Sequence, residues 1–162
     1  GMMGLAFARA LFEQPPLVAD IDAGKREAAL KAGAAAAFDP SDAGARKALM
    51  TQTGGVHGVC DFVGSEHSLQ FATSVLIRGG KVVVTGLLGG AFTTPAAMFA
   101  LKAMTIEGTL TGTLAEAREV IELARAGKVA ALPISERPLA AAQSALDDLR
   151  AGRVVGRVVL TV

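Results

Sequence analysis

Apolar and polar positions along the chain follow two rhythms in turn. From the start, Met3, Leu5, Ala6, Ala10 and Leu11 recur at helical spacing, and Pro15-Pro16 stops that helix because proline lacks the amide hydrogen and clashes in a helix interior. Leu17-Val18-Ala19 is a short apolar run ending in Asp20, and Asp22 opens a second helix through Lys31 that Gly33 closes. Ala35 to Phe38 is another brief run before Asp39-Pro40-Ser41-Asp42, where Ser41 or Asp42 is expected to cap a helix reaching Thr53. Val59 to Val63 and Lys81 to Thr85 are β-branched runs bounded by glycines, with a helix from Glu66 to Ile77 between them, and both read as buried strands. Beyond Gly90 the rhythm loosens into a short helix Pro95 to Ala103, a strand Thr105 to Leu110 and a helix Leu114 to Ala126. The tail adds a helix Leu139 to Ala151 and a strand Val154 to Leu160.

Short apolar runs alternating with amphipathic helices predict an α/β fold: a doubly wound, Rossmann-like parallel sheet covered on both faces. Such a sheet has a strand before its first helix, and this chain begins inside the turn where that strand has ended, so it reads as N-terminally truncated. The length of 162 residues, with 51% hydrophobic and 19% charged, fits one domain with its own core. Sixteen basic residues against fifteen acidic ones give a net charge of +1, which speaks against nucleic acid or an anionic membrane surface as partner. The single Cys60 with His57 and His67 cannot fill a tetrahedral zinc site or build a disulfide framework. No apolar stretch reaches the ~18 residues of a membrane span and no leader pattern opens the chain, so a cytoplasmic location is expected.

Asp20 is the first candidate for chemistry. A carboxylate at the C-terminal end of the second strand of a dinucleotide fold accepts hydrogen bonds from the adenosine ribose and repels a 2′-phosphate, which favours NAD over NADP. In that motif the acid follows the glycine-rich turn by about 20 residues. Gly1 stands 19 positions before Asp20 and fits as the last glycine of the turn, whereas Gly4 stands too close. Asp20 as a simple helix cap, and Gly1-Met2 as a remnant before a start methionine, are the plainer alternatives. Lys25 lies near the first turn of the following helix, where its ammonium can swing to the same ribose or remain solvated. Asp61-Phe62-Val63-Gly64 and Thr85-Gly86-Leu87-Leu88-Gly89-Gly90 end two strands, where ligands of open α/β sheets sit and where glycine lets a flat ring approach the backbone. Arg157 can form charge-assisted bonds to a pyrophosphate or a surface ion pair. His57 reads as a solvated loop residue and Cys60 as an inert residue of a buried strand. No nucleophile–base pair, paired catalytic carboxylates or metal-ligand spacing is present, so no catalytic and no metal-binding residue is assigned.

In this order the residues resemble the cofactor-binding, C-terminal half of zinc-type alcohol dehydrogenases, the medium-chain dehydrogenase/reductases. The matching pieces are Gly1 with its gap to Asp20, Val18-Ala19-Asp20-Ile21-Asp22 with Lys25-Arg26-Glu27, Ala32-Gly33-Ala34, Asp61-Phe62-Val63-Gly64, Arg78 through Gly86, and Leu149 through Leu160. The resemblance implies that Gly1 and Met2 end the pyrophosphate turn, that Asp20, Ile21 and Lys25 hold the adenosine ribose, and that Arg157 reaches the pyrophosphate. It also puts Phe62, Val63, Gly64, Thr85, Gly86, Leu87 and Leu110 around the adenine and nicotinamide of NAD. Thr105 to Leu110 becomes the edge strand through which a homodimer or tetramer pairs. The implied parent enzyme moves a hydride between a small alcohol or aldehyde and NAD, with zinc ligands in a domain outside this chain, so the fragment alone is expected to be inactive. A zinc-free quinone or enoyl reductase, a non-catalytic nucleotide-binding or dimerisation fragment, and a methyltransferase are the alternatives.

Overall fold

The computed structural model describes residues 1–162. Helix α1 (Met2–Leu11) leads into strand β1 (Leu17–Ala19), helix α2 (Ala23–Lys31), strand β2 (Ala36–Phe38) and helix α3 (Ala45–Thr53). Strand β3 (Val56–Asp61), helix α4 (Glu66–Val75), strand β4 (Leu76–Val84), helix α5 (Ala97–Lys102) and strand β5 (Thr105–Gly108) follow. The chain finishes with helix α6 (Leu114–Arg125), strand β6 (Ile134–Pro138), a 3₁₀ turn (Leu139–Ala141), helix α7 (Ala142–Arg150) and strand β7 (Arg157–Thr161). Every strand pairing is parallel, in ladders β1-β2, β3-β4-β5 and β6-β7. The alternating helix–strand order with parallel pairing is the Rossmann-like α/β class that the pattern predicts.

Local chemistry sets most boundaries. Asp22 caps α2, its Oδ1 accepting the Lys25 amide at 2.8 Å. Helix α4 opens with a capping box between Ser65 and Ser68, and α6 with one between Thr113 and Glu116. The α4 C-terminus has no basic residue of its own in its last turn. Lys102 Nζ supplies one from α5, donating to the Thr73 carbonyl at 2.8 Å, and Arg46 Nε reaches the Ser74 carbonyl.

The main core lies between the β3-β4-β5 ladder and the helices α4 and α5. Val59, Val82 and Ile106 stand side by side across the three strands on that face. They pack with buried Ala72, Leu76 and Met104. The opposite face carries Gly58 and Cys60, Lys81 and Val83, Thr105 and Glu107, and all of these except Val83 are exposed.

Several expectations are corrected in detail. Cys60 is exposed rather than buried, because its side of β3 is this small and polar face, laced by a Lys81–Glu107 ion pair at 3.0 Å. The expected cap of α3 at Ser41 or Asp42 moves to Gly44, which makes no side-chain cap, while Asp42 holds the Gly44 amide in the preceding turn. Strand β4 starts at Leu76, five residues early, since Arg78-Gly79-Gly80 continues the strand through a register shift against β3 instead of forming a turn. Strand β6 was not expected at all, and His57 lies inside β3 rather than in the loop before it. No helix is long and apolar enough to cross a membrane.

Candidate functional site

The C-terminal ends of β1, β3, β4 and β5 and the N-terminus of α1 carry nearly all the candidate residues. Asp20 follows β1 directly, with its amide donating to the Phe38 carbonyl at 3.1 Å. One carboxylate oxygen, Oδ1, accepts the Asp22 amide at 2.9 Å, and no hydrogen bond engages Oδ2. The Asp20 carbonyl is held from behind by Arg26, whose Nη1 also reaches Asp39 Oδ2 at 3.0 Å. Arg26 thus ties the ends of β1 and β2 together, a role the sequence reading missed because a lone arginine on a helix reads as solvated surface. Ser41 donates to the same Asp39 carboxylate through its amide and hydroxyl, and these bonds, ahead of Arg26, hold the Asp39 carboxyl below its ordinary pKa.

Gly1 caps α1, and its amino group is near enough to Asp20 and Arg157 to feel both charges. Asp20 and Arg157, far apart in sequence, thus both lie within charge range of the start of α1. A Cβ at Gly4 would clash with the edge of the Phe62 ring, so the first turn of α1 also touches the end of β3. The α1 N-terminus, where unpaired backbone N–H groups favour an anion, thus stands between the ends of β1 and β3. Lys25 Nζ lies beside Gly152, in the turn after α7, at the margin of this group. Ile21 is 69% exposed next to Asp20.

Across from Asp20, the ends of β3 and β4 interlock through their backbones. The Asp61 carbonyl accepts from the Thr85 and Gly86 amides at 2.8 and 2.9 Å, and Val63 and Gly64 carbonyls accept from Leu88 and Gly89 at 3.0 Å. Gly64 sits at φ +68°, and a Cβ there would fall on the Gly86 carbonyl. A Cβ on Gly86 would meet the Val63 and Phe62 backbone in return, so both positions require glycine. Phe62, Val63 and Leu87 project outward at 44, 46 and 80% exposure, and Leu110 beyond β5 at 73%. Thr109 extends the β4–β5 pairing by donating to the Val84 carbonyl, and Thr111 turns the chain at φ +56°. These residues make an apolar rim, suited to a flat ring rather than to a charged group.

Other candidates lie elsewhere. His67 is in the first turn of α4, His57 is in β3, and Cys60 faces the open side of the sheet, so the three do not meet. No three His, Cys, Asp or Glu side chains cluster.

Residues 1–126 match the family model described as zinc-binding dehydrogenase. The chain is 34% identical over 143 residues to the alcohol dehydrogenase of a Moraxella species, covering 87% of this chain and 41% of that protein. It is 31% identical over 162 residues to the NAD-dependent alcohol dehydrogenase of Sulfurisphaera tokodaii, covering 99% of this chain and 47% of the relative. The crystal structure of the alcohol dehydrogenase from Aeropyrum pernix superposes with a TM-score of 0.91 at 27% identity, over 100% of this chain and 47% of that one. The chain spans less than half the length of each of these relatives.

Proposed function

The chain belongs to the zinc-binding dehydrogenase family, and from that membership we propose that residues 1–162 form the NAD-binding, Rossmann-like domain of an alcohol dehydrogenase. The observation that carries the reading is the interlock of the strand ends at Gly64 and Gly86, with the first turn of α1 packed against the end of β3 and Asp20 standing at the end of β1. In this reading the free Oδ2 of Asp20 takes the adenosine ribose hydroxyls, helped by Lys25 and the chain at Ile21. Gly1, Met2 and Arg157 face the pyrophosphate. Phe62, Val63, Gly64, Thr85, Gly86, Leu87 and Leu110 surround the nicotinamide half. In this reading the parallel ladders β1-β2 and β3-β4-β5 are the two halves of one doubly wound sheet.

When bound there, a nicotinamide dinucleotide would supply the acceptor or donor for a hydride exchanged with an alcohol carbon. The residues of this chain bind and orient the dinucleotide, and none is assigned to take the hydroxyl proton. The zinc of the family name does not fit the donors present, since one exposed cysteine and two separated histidines cannot make a three-ligand site. The backbone groups of β5 on the side away from β4 are unpaired, which supports pairing of two copies through Thr105 to Leu110 as the route to a homodimer or tetramer.

Calorimetric titration of the chain with NADH and NADPH tests this reading. NADH is expected to bind more tightly, and Asp20→Ala to weaken NADH about tenfold while narrowing the gap to NADPH. Equal affinity for both cofactors, unchanged by Asp20→Ala, would remove Asp20 from the site.

A further inference from the structure

We propose that Asp61 is a positioning residue for the nicotinamide half of the cofactor, a role that rests on the NAD-binding reading above. Asp61 is the one buried polar or charged side chain in the fold, 5% exposed at the end of β3. It has no ion-pair partner. A carboxylate in such a place needs donors, and the fold supplies them from three directions. Oδ1 accepts the amides of Val63 at 2.9 Å and Gly64 at 3.2 Å, and Oδ2 accepts the Ser68 hydroxyl at 2.8 Å. Ser68 is in the first turn of α4 and closes the capping box with Ser65, so the carboxylate also faces the positive end of that helix.

The main chain of the same residue holds the other strand end, since the Asp61 carbonyl takes the amides of both Thr85 and Gly86. One residue thus fixes Val63 and Gly64 with its side chain and Thr85 and Gly86 with its backbone. The two glycines are so close that neither admits a Cβ, and this closeness exists only while the Phe62–Gly64 turn stays folded back on Asp61. The turn directly follows β3, which in the NAD-binding reading belongs to the half of the sheet across from Asp20, where a dinucleotide spanning the crevice lays its second nucleotide. Asp61 touches no part of that ligand in this arrangement. It acts by keeping the Val63 and Gly64 backbone at the height the ring requires.

The prediction is a split between the two halves of the cofactor. Titrated calorimetrically into the full 162-residue chain, NADH is expected to bind Asp61→Ala about tenfold more weakly, while ADP-ribose, which lacks the nicotinamide, changes by no more than about twofold. Asp61→Asn keeps an oxygen for the two amides and presents an NH₂ that Ser68 can accept, so it is expected to restore NADH to within about threefold. In Asp61→Ala the Val63 and Gly64 amides also exchange with solvent faster than in the unaltered chain, a readout that needs no ligand. If Asp61→Ala does not fold, Ser68→Ala takes its place, with a loss of about threefold for NADH and none for ADP-ribose. Equal losses for both ligands, no loss for either, or an Asn variant as weak as the Ala variant overturns the positioning role while leaving the NAD reading intact. Failure of the unaltered chain to bind NADH or ADP-ribose overturns both.

Discussion

The interlock of Gly64 and Gly86 makes a prediction that can be worked through from the structure. Gly86→Ala introduces a methyl group where the Val63 and Phe62 backbone already stands, and backbone cannot rotate away as a side chain would. The β4 end must lift off the β3 end. Four backbone hydrogen bonds cross between the two loops, from Thr85 and Gly86 to Asp61, from Leu88 to Val63 and from Gly89 to Gly64. Losing two or three of them at roughly 0.5–1.5 kcal/mol each amounts to about 1–4.5 kcal/mol. With a urea slope of about 2 kcal/mol/M, that lowers the midpoint by about 0.5–2 M. The control is Gly58→Ala in β3, where the nearest atom to the new methyl is the Lys81 carbonyl oxygen at 3.9 Å and φ is not positive. That change is expected to be neutral or to stabilise by up to about 1 kcal/mol, because alanine has less freedom to lose on folding. Far-ultraviolet circular dichroism is the assay, as the chain has no tryptophan or tyrosine to report by fluorescence. A Gly86→Ala midpoint equal to that of the unaltered chain would refute the interlock.

Two further outcomes follow from particular side chains. Asp148 bonds Arg137 at 2.8 Å and Arg153 at 2.7 Å, and these two bonds hold its carboxyl below the ordinary value of 3.8. Its stabilisation is present above that value and is lost as pH falls through the lower folded pKa, so Asp148→Asn should flatten the acid limb of a stability–pH curve measured downward from about pH 4. Cys60, on the open face of β3, should react with a thiol reagent in the folded state, at the rate of an accessible cysteine and without denaturant. Labelling that waits for urea would contradict the exposure of that face.

The alternation of helices and strands was legible because it rests on local signals: Asp22 as a cap, Pro15-Pro16 as a stop, and Val82-Val83-Val84 as a strand. Burial was less legible. Val59-Cys60-Asp61 reads as a strand covered on both sides, yet only the face of Val59 is packed, and which face helices cover is decided by elements distant in sequence. Strand β6 carries Ser135, Glu136 and Arg137, with Pro133 just before it and Pro138 at its end, and becomes a strand only by pairing with β7. Asp20 and the glycine-rich strand ends could be picked out by position along the chain. Asp61 could not, since a carboxylate after a strand reads as solvated until the donors that surround it are located. The signal was nonetheless present: an acid at the end of an apolar strand, then a glycine turn, then two serines three residues apart.

The central claim is that a nicotinamide dinucleotide lies across the C-terminal strand ends. Amide chemical-shift mapping of the ¹⁵N-labelled chain during titration with NADH tests it most directly. Saturable shifts are expected at Gly4, Asp20 to Lys25, Phe62 to Gly64, Thr85 to Leu87, Leu110 and Arg157, with the solvent side of α3 unmoved. Shifts clustered on the open face around Gly58, Lys81 and Glu107, or no saturable shifts at all, would contradict it.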